Sequence, residues 1–444
     1  MASFLLVVFD GLRPDMVRPD TTPNLLRFIA TGTRFARAHS VFPSETRVCS
    51  SSVATGCLPR RHGLVANQMA HPLDPSRRLD TGLVEQLRAL ELATGAPVLE
   101  VPTLGDLLAA AGRDCAVLSS GTTGQTFLLS PHADTLGHLT LSAHGPHACS
   151  AAGRRLLAEL PPPPQPSAAR ADWIAEVFRT RFLPAPPAAT ILWLCEPDST
   201  GHYGGLGSAA QIAALRVADA AFGRILDDWQ SGPQRDRLQV AVASDHGHAG
   251  ITGHRNVGAA LAEMPAFAGC TLLGGSSGGI FVPDGADLPP GVLPRSTLLA
   301  DHRRAAHVLY MLRTTAGPSA AGLPGTTLFD GALKVGGGTH GGLSPAEMHI
   351  VFYLAGSRIA PGRVSDMPAG LIDIAPTALA LLGIAGDGMD GRVLAEAFTG
   401  GADPAEAPSP ETWEAVGPGY AQRLARTRLG RHTYIDEGYR HSTP

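Results

Sequence analysis

The chain has 444 residues, 44% of them hydrophobic, enough for a large core in one α/β domain with an insertion or in two or three domains. Its formal net charge of -4 leaves no basic excess, so a face that tracks nucleic-acid phosphates is not expected. The six cysteines are scattered without a CxxC pair and read as free thiols, and no run of about 18 apolar residues offers a membrane span.

The first apolar run is Phe4 to Phe9. It is short, lacks a basic leader and runs straight into Asp10-Gly11, so it reads as a core strand rather than a signal peptide, and a cytoplasmic protein is expected. Thr22-Pro23-Asn24 opens a helix to Ala30, with Gly32 as its stop. Ile191 to Leu194 is a second apolar run that leads through Cys195-Glu196-Pro197 to Asp198. Ala209 to Trp229 has helical apolar spacing, and Leu238 to Ala243 is a third run leading to Asp245. His349 to Leu354 is a fourth, and Asp373 to Leu382 a short helix followed by Gly383.

Continuous apolar runs suit strands buried on both faces, and their alternation with helices predicts an α/β fold, a doubly wound, mostly parallel sheet flanked by helices. Ligands of such sheets sit beyond the carboxyl ends of the strands, where Asp10, Asp198 and Asp245 would lie. The expected organisation is a catalytic core of residues 1–250 and 336–400, a small inserted cap subdomain of residues 251–335, and a C-terminal tail of residues 401–444 that wraps the core or frays. The insertion is expected to hold a helical stretch near Thr297 to Thr315.

Four separated segments carry metal-ligand residue types: Val8-Phe9-Asp10-Gly11, Asp198-Ser199-Thr200-Gly201-His202, Ser244-Asp245-His246-Gly247 and Gly338-Thr339-His340-Gly341-Gly342. They offer carboxylates and imidazoles, a natural zinc set, beside glycines that let backbone approach a metal or phosphate. Singly, each aspartate is as readily a turn or helix cap and each histidine a solvated loop residue. The four together, in this order, carry the argument.

These segments resemble the alkaline phosphatase superfamily, especially its nucleotide pyrophosphatase/phosphodiesterase branch, over most of residues 1–390. The resemblance implies that Asp198, His202 and His340 hold one zinc, and that Asp10, Asp245 and His246 hold another with Thr46 completing that site. The family's nucleophilic Thr stands nine residues before a Thr-Gly pair, the spacing of Thr46 to Thr55-Gly56. Its asparagine shortly after a Pro-x-x-His-Gly segment matches Asn67, implied to donate a hydrogen bond to a non-bridging phosphoryl oxygen. Thr46 is expected to open a helix whose amide end favours the phosphoryl anion. Cys57-Leu58-Pro59-Arg60-Arg61 matches the CxPxR pattern of sulfatases, but Cys57 follows the Thr-Gly pair instead of preceding it.

The implied reaction is hydrolysis of phosphodiester or pyrophosphate bonds through a covalent phospho-Thr46 intermediate, with two divalent ions, zinc by ligand type, and a small phosphodiester or nucleotide substrate. Phosphonate or phosphomonoester hydrolysis within the superfamily is the alternative, and a non-catalytic metal-binding protein a third reading. Arg47 departs from the Phe common after the nucleophile and is expected to bind a second phosphate or a carboxylate, or to stack on a ring. Trp193, five residues before Asp198, is expected either to offer an aromatic face to substrate or to be a core strand residue.

Overall fold

The computed structural model describes residues 2–267, 269–275, 277–282, 293–417 and 420–441. Residues 268, 276 and 283–292 of the expected insertion, and 418–419 and 442–444 of the tail, lie outside them. The central sheet consists of β1 (Ser3–Phe9), β2 (Thr33–His39), β3 (Cys115–Ser119), β4 (Leu139–Ser142), β5 (Ala189–Leu194), β6 (Leu238–Ala243), β7 (Phe352–Ala355) and β8 (Arg363–Gly370). Their spatial order is β8-β2-β7-β6-β1-β5-β3-β4. All neighbouring pairs are parallel except those of β7, which runs antiparallel to β2 and β6.

The six helices that bear on the site are α1 (Pro23–Ile29), α2 (Thr46–Thr55), α3 (Ser167–Val177), α4 (Asp198–Gly204), α5 (Ala209–Ser231) and α6 (Ile374–Leu382). Side chains alternate across a strand, so β1 feeds two cores. Phe4, Leu6 and Val8 join Val48 and Val53 of α2 and Ile374 and Leu379 of α6 on one face. Leu5, Val7 and Phe9 join Leu25 and Phe28 of α1 and Leu215 and Phe222 of α5 on the other. This two-sided burial is why β1 reads as one unbroken apolar run. Gly56, in the left-handed region at φ 64, ends α2, and its N–H donates to Ser52 O.

Between β6 and β7 the chain leaves the central sheet. Strand Ala249–His254 pairs with Pro324–Phe329 and with Gly338–Thr339, while Thr271–Leu273, Ser277–Phe281 and Val308–Met311 form a separate small sheet. The helix expected near Thr297 to Thr315 is not there. A 3-10 turn at Arg295–Leu298 stops at Leu299, which sits at φ 54, and strands Val308–Met311 and Thr314–Pro318 follow. A left-handed non-glycine residue cannot continue a helix, and the apolar Val308–Met311 run gains its backbone partners from Ser277–Phe281 instead.

The described part of the tail packs against the core as strands. Ser409–Gly417, Tyr420–Leu429 and His432–His441 form an antiparallel meander. Its Leu424, Leu429, Tyr434 and Ile435 are buried in the α2 and α6 core. The Tyr434 hydroxyl donates to Asp373 Oδ2 at 3.0 Å, and the Arg426 guanidinium lies 3.7 Å from the centre of the Trp413 ring. Among the described residues, no helix is long and apolar enough to cross a membrane.

Candidate active site

The carboxyl ends of β1, β5 and β6 lie side by side, and each delivers one buried aspartate. Asp10 follows β1 directly, Asp198 begins α4 four residues after β5, and Asp245 follows β6 by two residues. The Asp198 N–H donates to Asp10 O at 3.0 Å, and the Gly11 N–H to Asp245 Oδ1 at 3.0 Å, which ties the three loops together. Gly11 has φ 70, and a Cβ there would lie 2.5 Å from His248 Cε1 and 3.0 Å from Asp198 Cβ. A side chain at this position would separate the loops that hold the site.

Two groups of ligand-type residues result: Asp198, His202, His248 and His340, and Asp10, Asp245 and His246. In the first, Asp198 Oδ1 lies 3.1 Å from His202 Nε2, 3.0 Å from His248 Nε2 and 3.5 Å from His340 Nε2. In the second, His246 Nε2 lies 3.2 Å from Asp245 Oδ2, 3.6 Å from Asp10 Oδ1 and 3.1 Å from Thr46 Oγ. The His246 and His340 rings stack at 3.6 Å, which brings the groups together.

The imidazoles share one device. Nδ1 of His202 faces Gly338 O at 2.7 Å, that of His340 Ser44 O at 2.8 Å, that of His246 Gly247 O at 3.0 Å and that of His248 Gly11 O at 3.2 Å. A carbonyl can only accept, so each Nδ1 carries a proton and each Nε2 is turned inward, the orientation that metal-bound histidines have.

Asp10 Oδ1, Asp198 Oδ1, Asp245 Oδ2 and His248 Nε2 are all buried without a hydrogen-bond partner. Buried polar atoms rarely stay unpaired, and a cluster of carboxylate oxygens and imidazole nitrogens of this kind is one that cations would satisfy. Burial, then Asp245 and Asp198, hold the Asp10 carboxyl well above the usual carboxylate range, and burial pushes Asp245 up to about 8. Asp198 is held well below that range because His202 and His248 outweigh its burial. Burial pushes His246 down to about 3 and His340 down as well. Carboxylate oxygen with imidazole nitrogen is a donor set that fits zinc.

Thr46 stands beside the second group as the first residue of α2, and is 8% exposed. The Arg47 N–H donates to Asn67 Oδ1 at 3.1 Å, which leaves the Asn67 amide hydrogens for the cleft that this residue lines. The Asn67 N–H donates to the Glu45 carboxylate, and Ser277 Oγ lies 3.4 Å from Glu45 Oε1. Burial pushes the Glu45 carboxyl up. Arg47 also lines the cleft, with Asp80 Oδ1 at 4.0 Å as its nearest carboxylate.

Asp10, Thr46, Asp198, His202, Asp245, His246 and His340 are therefore brought together, with Asn67 and Arg47 on the cleft wall. Trp193 is not. It is fully buried in β5, and its indole N–H donates to Asp10 Oδ2 at 2.8 Å. A strand flanked by β1 and β3 and covered on both faces offers no ring surface to a substrate, so Trp193 is a core residue that orients a carboxylate. Two residues escaped the sequence reading. His248 lies two positions beyond His246, and a second histidine in an Asp-His-Gly-His run was the available signal. Glu45, at the N-cap position directly before Thr46, gives no signal without the fold that brings Asn67 to it.

Residues 4–273 match the sequence profile of the type I phosphodiesterase / nucleotide pyrophosphatase family. The chain belongs to that family. Among curated relatives, ectonucleotide pyrophosphatase/phosphodiesterase family member 3 of Rattus norvegicus is 24% identical over 249 residues, which are 55% of this chain and 24% of the relative. The bis(5'-adenosyl)-triphosphatase of Mus musculus is 38% identical over 65 residues, 15% of this chain and 14% of that one. The chain thus spans 24% of the length of the family member 3 relative. The solved structure of murine ectonucleotide pyrophosphatase/phosphodiesterase 5 superimposes with a TM-score of 0.63 at 18% identity, covering 90% of this chain and 100% of that one. The human counterpart gives 0.62 at 18% identity, covering 88% and 97%. At such identity the likeness describes the fold.

Proposed function

We propose that this family member is a two-metal hydrolase that cuts phosphodiester or pyrophosphate bonds of small substrates, nucleotides included, with Thr46 as nucleophile. One observation carries the reading: three buried aspartates and four histidines gather in two groups, His246 Nε2 of one group lies 3.1 Å from Thr46 Oγ, and four of their atoms have no partner in the protein. Asp198, His202 and His340, with His248 beside them, would hold one divalent ion, and Asp10, Asp245, His246 and Thr46 the other. Zinc is the ion that the donor set favours. Ions bound there supply positive charge to the attacking and departing oxygens of an in-line displacement.

The chain's own residues supply position and further charge. Thr46 Oγ forms a bond to phosphorus as the bond to the leaving oxygen breaks, and water then hydrolyses phospho-Thr46 and restores the hydroxyl. The N-terminus of α2 turns its partial positive charge toward the phosphoryl group. Asn67, held by the Arg47 N–H and by Glu45, donates an amide hydrogen to a non-bridging oxygen. Gly11, Trp193 and the backbone carbonyls hold the carboxylates and imidazoles in register.

The test is a substrate panel on the metal-loaded protein: bis-p-nitrophenyl phosphate, p-nitrophenyl phosphate and phosphonoacetate. Turnover of the diester in preference to the others is expected, and Thr46→Ala should abolish it with the metal content retained. A strong preference for the monoester or the phosphonate would replace the diesterase reading, and undiminished turnover in Thr46→Ala would remove the nucleophile.

A further inference from the structure

The Asp198 group holds one imidazole more than the resemblance implies. His248 is fully buried, and its Nε2 lies 3.0 Å from Asp198 Oδ1, the oxygen that His202 Nε2 approaches to 3.1 Å and His340 Nε2 to 3.5 Å. One carboxylate oxygen thus has three imidazole nitrogens around it, and the four residues each offer a ligand atom within 4.8 Å of the others. Ligands about 2.0–2.2 Å from a tetrahedral zinc stand about 3.3–3.5 Å from one another, so the three separations from Asp198 Oδ1 match the edges of such a tetrahedron to within a few tenths of an ångström. The ring is held in place by its neighbours. Its Nδ1 faces Gly11 O at 3.2 Å, and Arg13 Nη1 donates to His248 O at 2.6 Å. It stands nearly perpendicular to the His202 and His340 rings, at 80° and 83°. A Cβ on Gly11 would lie 2.5 Å from its Cε1, and one on Gly338 would lie 2.9 Å from its Cδ2, so two glycines of the site clear the space it occupies.

His248 Nε2 and Asp198 Oδ1 face each other at 3.0 Å, both buried and both without a hydrogen-bond partner. With its Nδ1 proton turned to the Gly11 carbonyl, the ring could donate to Asp198 only as an imidazolium buried beside two further imidazoles. A cation bound to both atoms satisfies them together. We propose that His248 is the fourth protein ligand of the ion in the Asp198 group, so that Asp198, His202, His248 and His340 close its shell. This rests on the two-metal reading and makes the two groups unlike. The Asp10 group has three such ligands and is completed by Thr46, the open arrangement of catalytic sites, whereas the Asp198 group is closed and leaves no standing place for water beside its ion.

The experiment is proton NMR of the full-length protein loaded with cobalt in both groups. A contact shift passes only through a coordination bond, so each histidine that binds cobalt through Nε2 moves its Nδ1 proton far outside the ordinary range. The carbonyls that face these Nδ1 atoms slow their exchange with water and keep the signals visible. Four shifted signals that disappear in deuterated water are expected in the wild type, from His202, His246, His248 and His340, and three in His248→Gln. Three in the wild type, or a count that His248→Gln leaves unchanged, would show that His248 is a neighbour of Asp198 and not a ligand; that overturns the proposal and leaves the two-metal reading standing. No shifted signal would mean that no ion sits among these histidines, and would overturn both. If His248→Gln fails to fold, the wild-type count of four against three decides alone.

Discussion

Trp193→Phe isolates what a single buried hydrogen bond does for a metal ligand. The indole N–H is the hydrogen-bond partner of Asp10 Oδ2, at 2.8 Å, and both side chains are buried. Phenylalanine fills most of the same space but cannot donate. Asp10 Oδ2 would then be a buried, unpaired carboxylate oxygen. A hydrogen bond to a charged group contributes about 1.5–3 kcal/mol, which at 1.4 kcal/mol per factor of ten corresponds to an affinity loss of about 10- to 150-fold. That agrees with the cost typical of lost partners outside the ligand shell of metal sites. The sign of the pH effect follows from the same bond. The indole lowers the proton affinity of Asp10 against burial and the two neighbouring aspartates, which raise it. Without the indole, protons compete better, so loading of the Asp10 site should need a higher pH. Competition with a chelator, followed through cobalt absorption across pH, reads both effects, and the Asp198 site serves as internal control. Equal loss at both sites would indicate general unfolding. Unchanged affinity and unchanged pH midpoint at the Asp10 site would refute the reasoning.

Three further outcomes are expected. His248→Gln should weaken the ion of the Asp198 group by about 10- to 100-fold, measured by the same competition, because Asp198 Oδ1 loses the imidazole 3.0 Å away. Asn67→Ala should keep both ions and lose about 10²- to 10³-fold in kcat, as the loss of one oxyanion donor does; a silent variant would end its assignment as a donor. Metal-stripped protein should lose thermal stability as pH rises from about 4 to about 8. Asp245, at about 8 against an ordinary value of 3.8, and Asp10, raised by burial and its neighbours, hold protons in the folded state that the unfolded chain releases. Loaded protein should lack that slope, and its presence there would count against ligation by these aspartates.

Much of the fold was legible because burial on both faces leaves an unmistakable trace. Phe4 to Phe9, Ile191 to Leu194 and Leu238 to Ala243 are continuous apolar runs, and each became a central strand. β2 was missed because alternate residues such as Arg34 and Ala36 face solvent, so its sequence TRFARAH carries no apolar run. The tail was opaque for a related reason. In Tyr420–Leu429 arginines alternate with the few residues that reach the core, and only the neighbouring strands tell such a pattern from polar coil.

In the site, the four Asp-, His- and Gly-bearing segments drew attention together, the resemblance divided them into two ligand groups, and the fold gathers those side chains into two clusters. What sequence could not convey was direction. Trp193 and Asp198 are five residues apart, yet one faces Asp10 from inside the sheet and the other opens onto the cleft. Glu45 acts through Asn67, 22 residues away, across a contact that only the folded chain makes.

The central claim is that two cations sit beside the Thr46 hydroxyl, held by the residues at the ends of β1, β5 and β6. Anomalous diffraction from crystals soaked in zinc, collected above and below the zinc edge, tests it most directly. Two peaks are predicted, one among Asp198, His202 and His340 and one among Asp10, Asp245, His246 and Thr46. A single peak, or none at these side chains, would contradict the account.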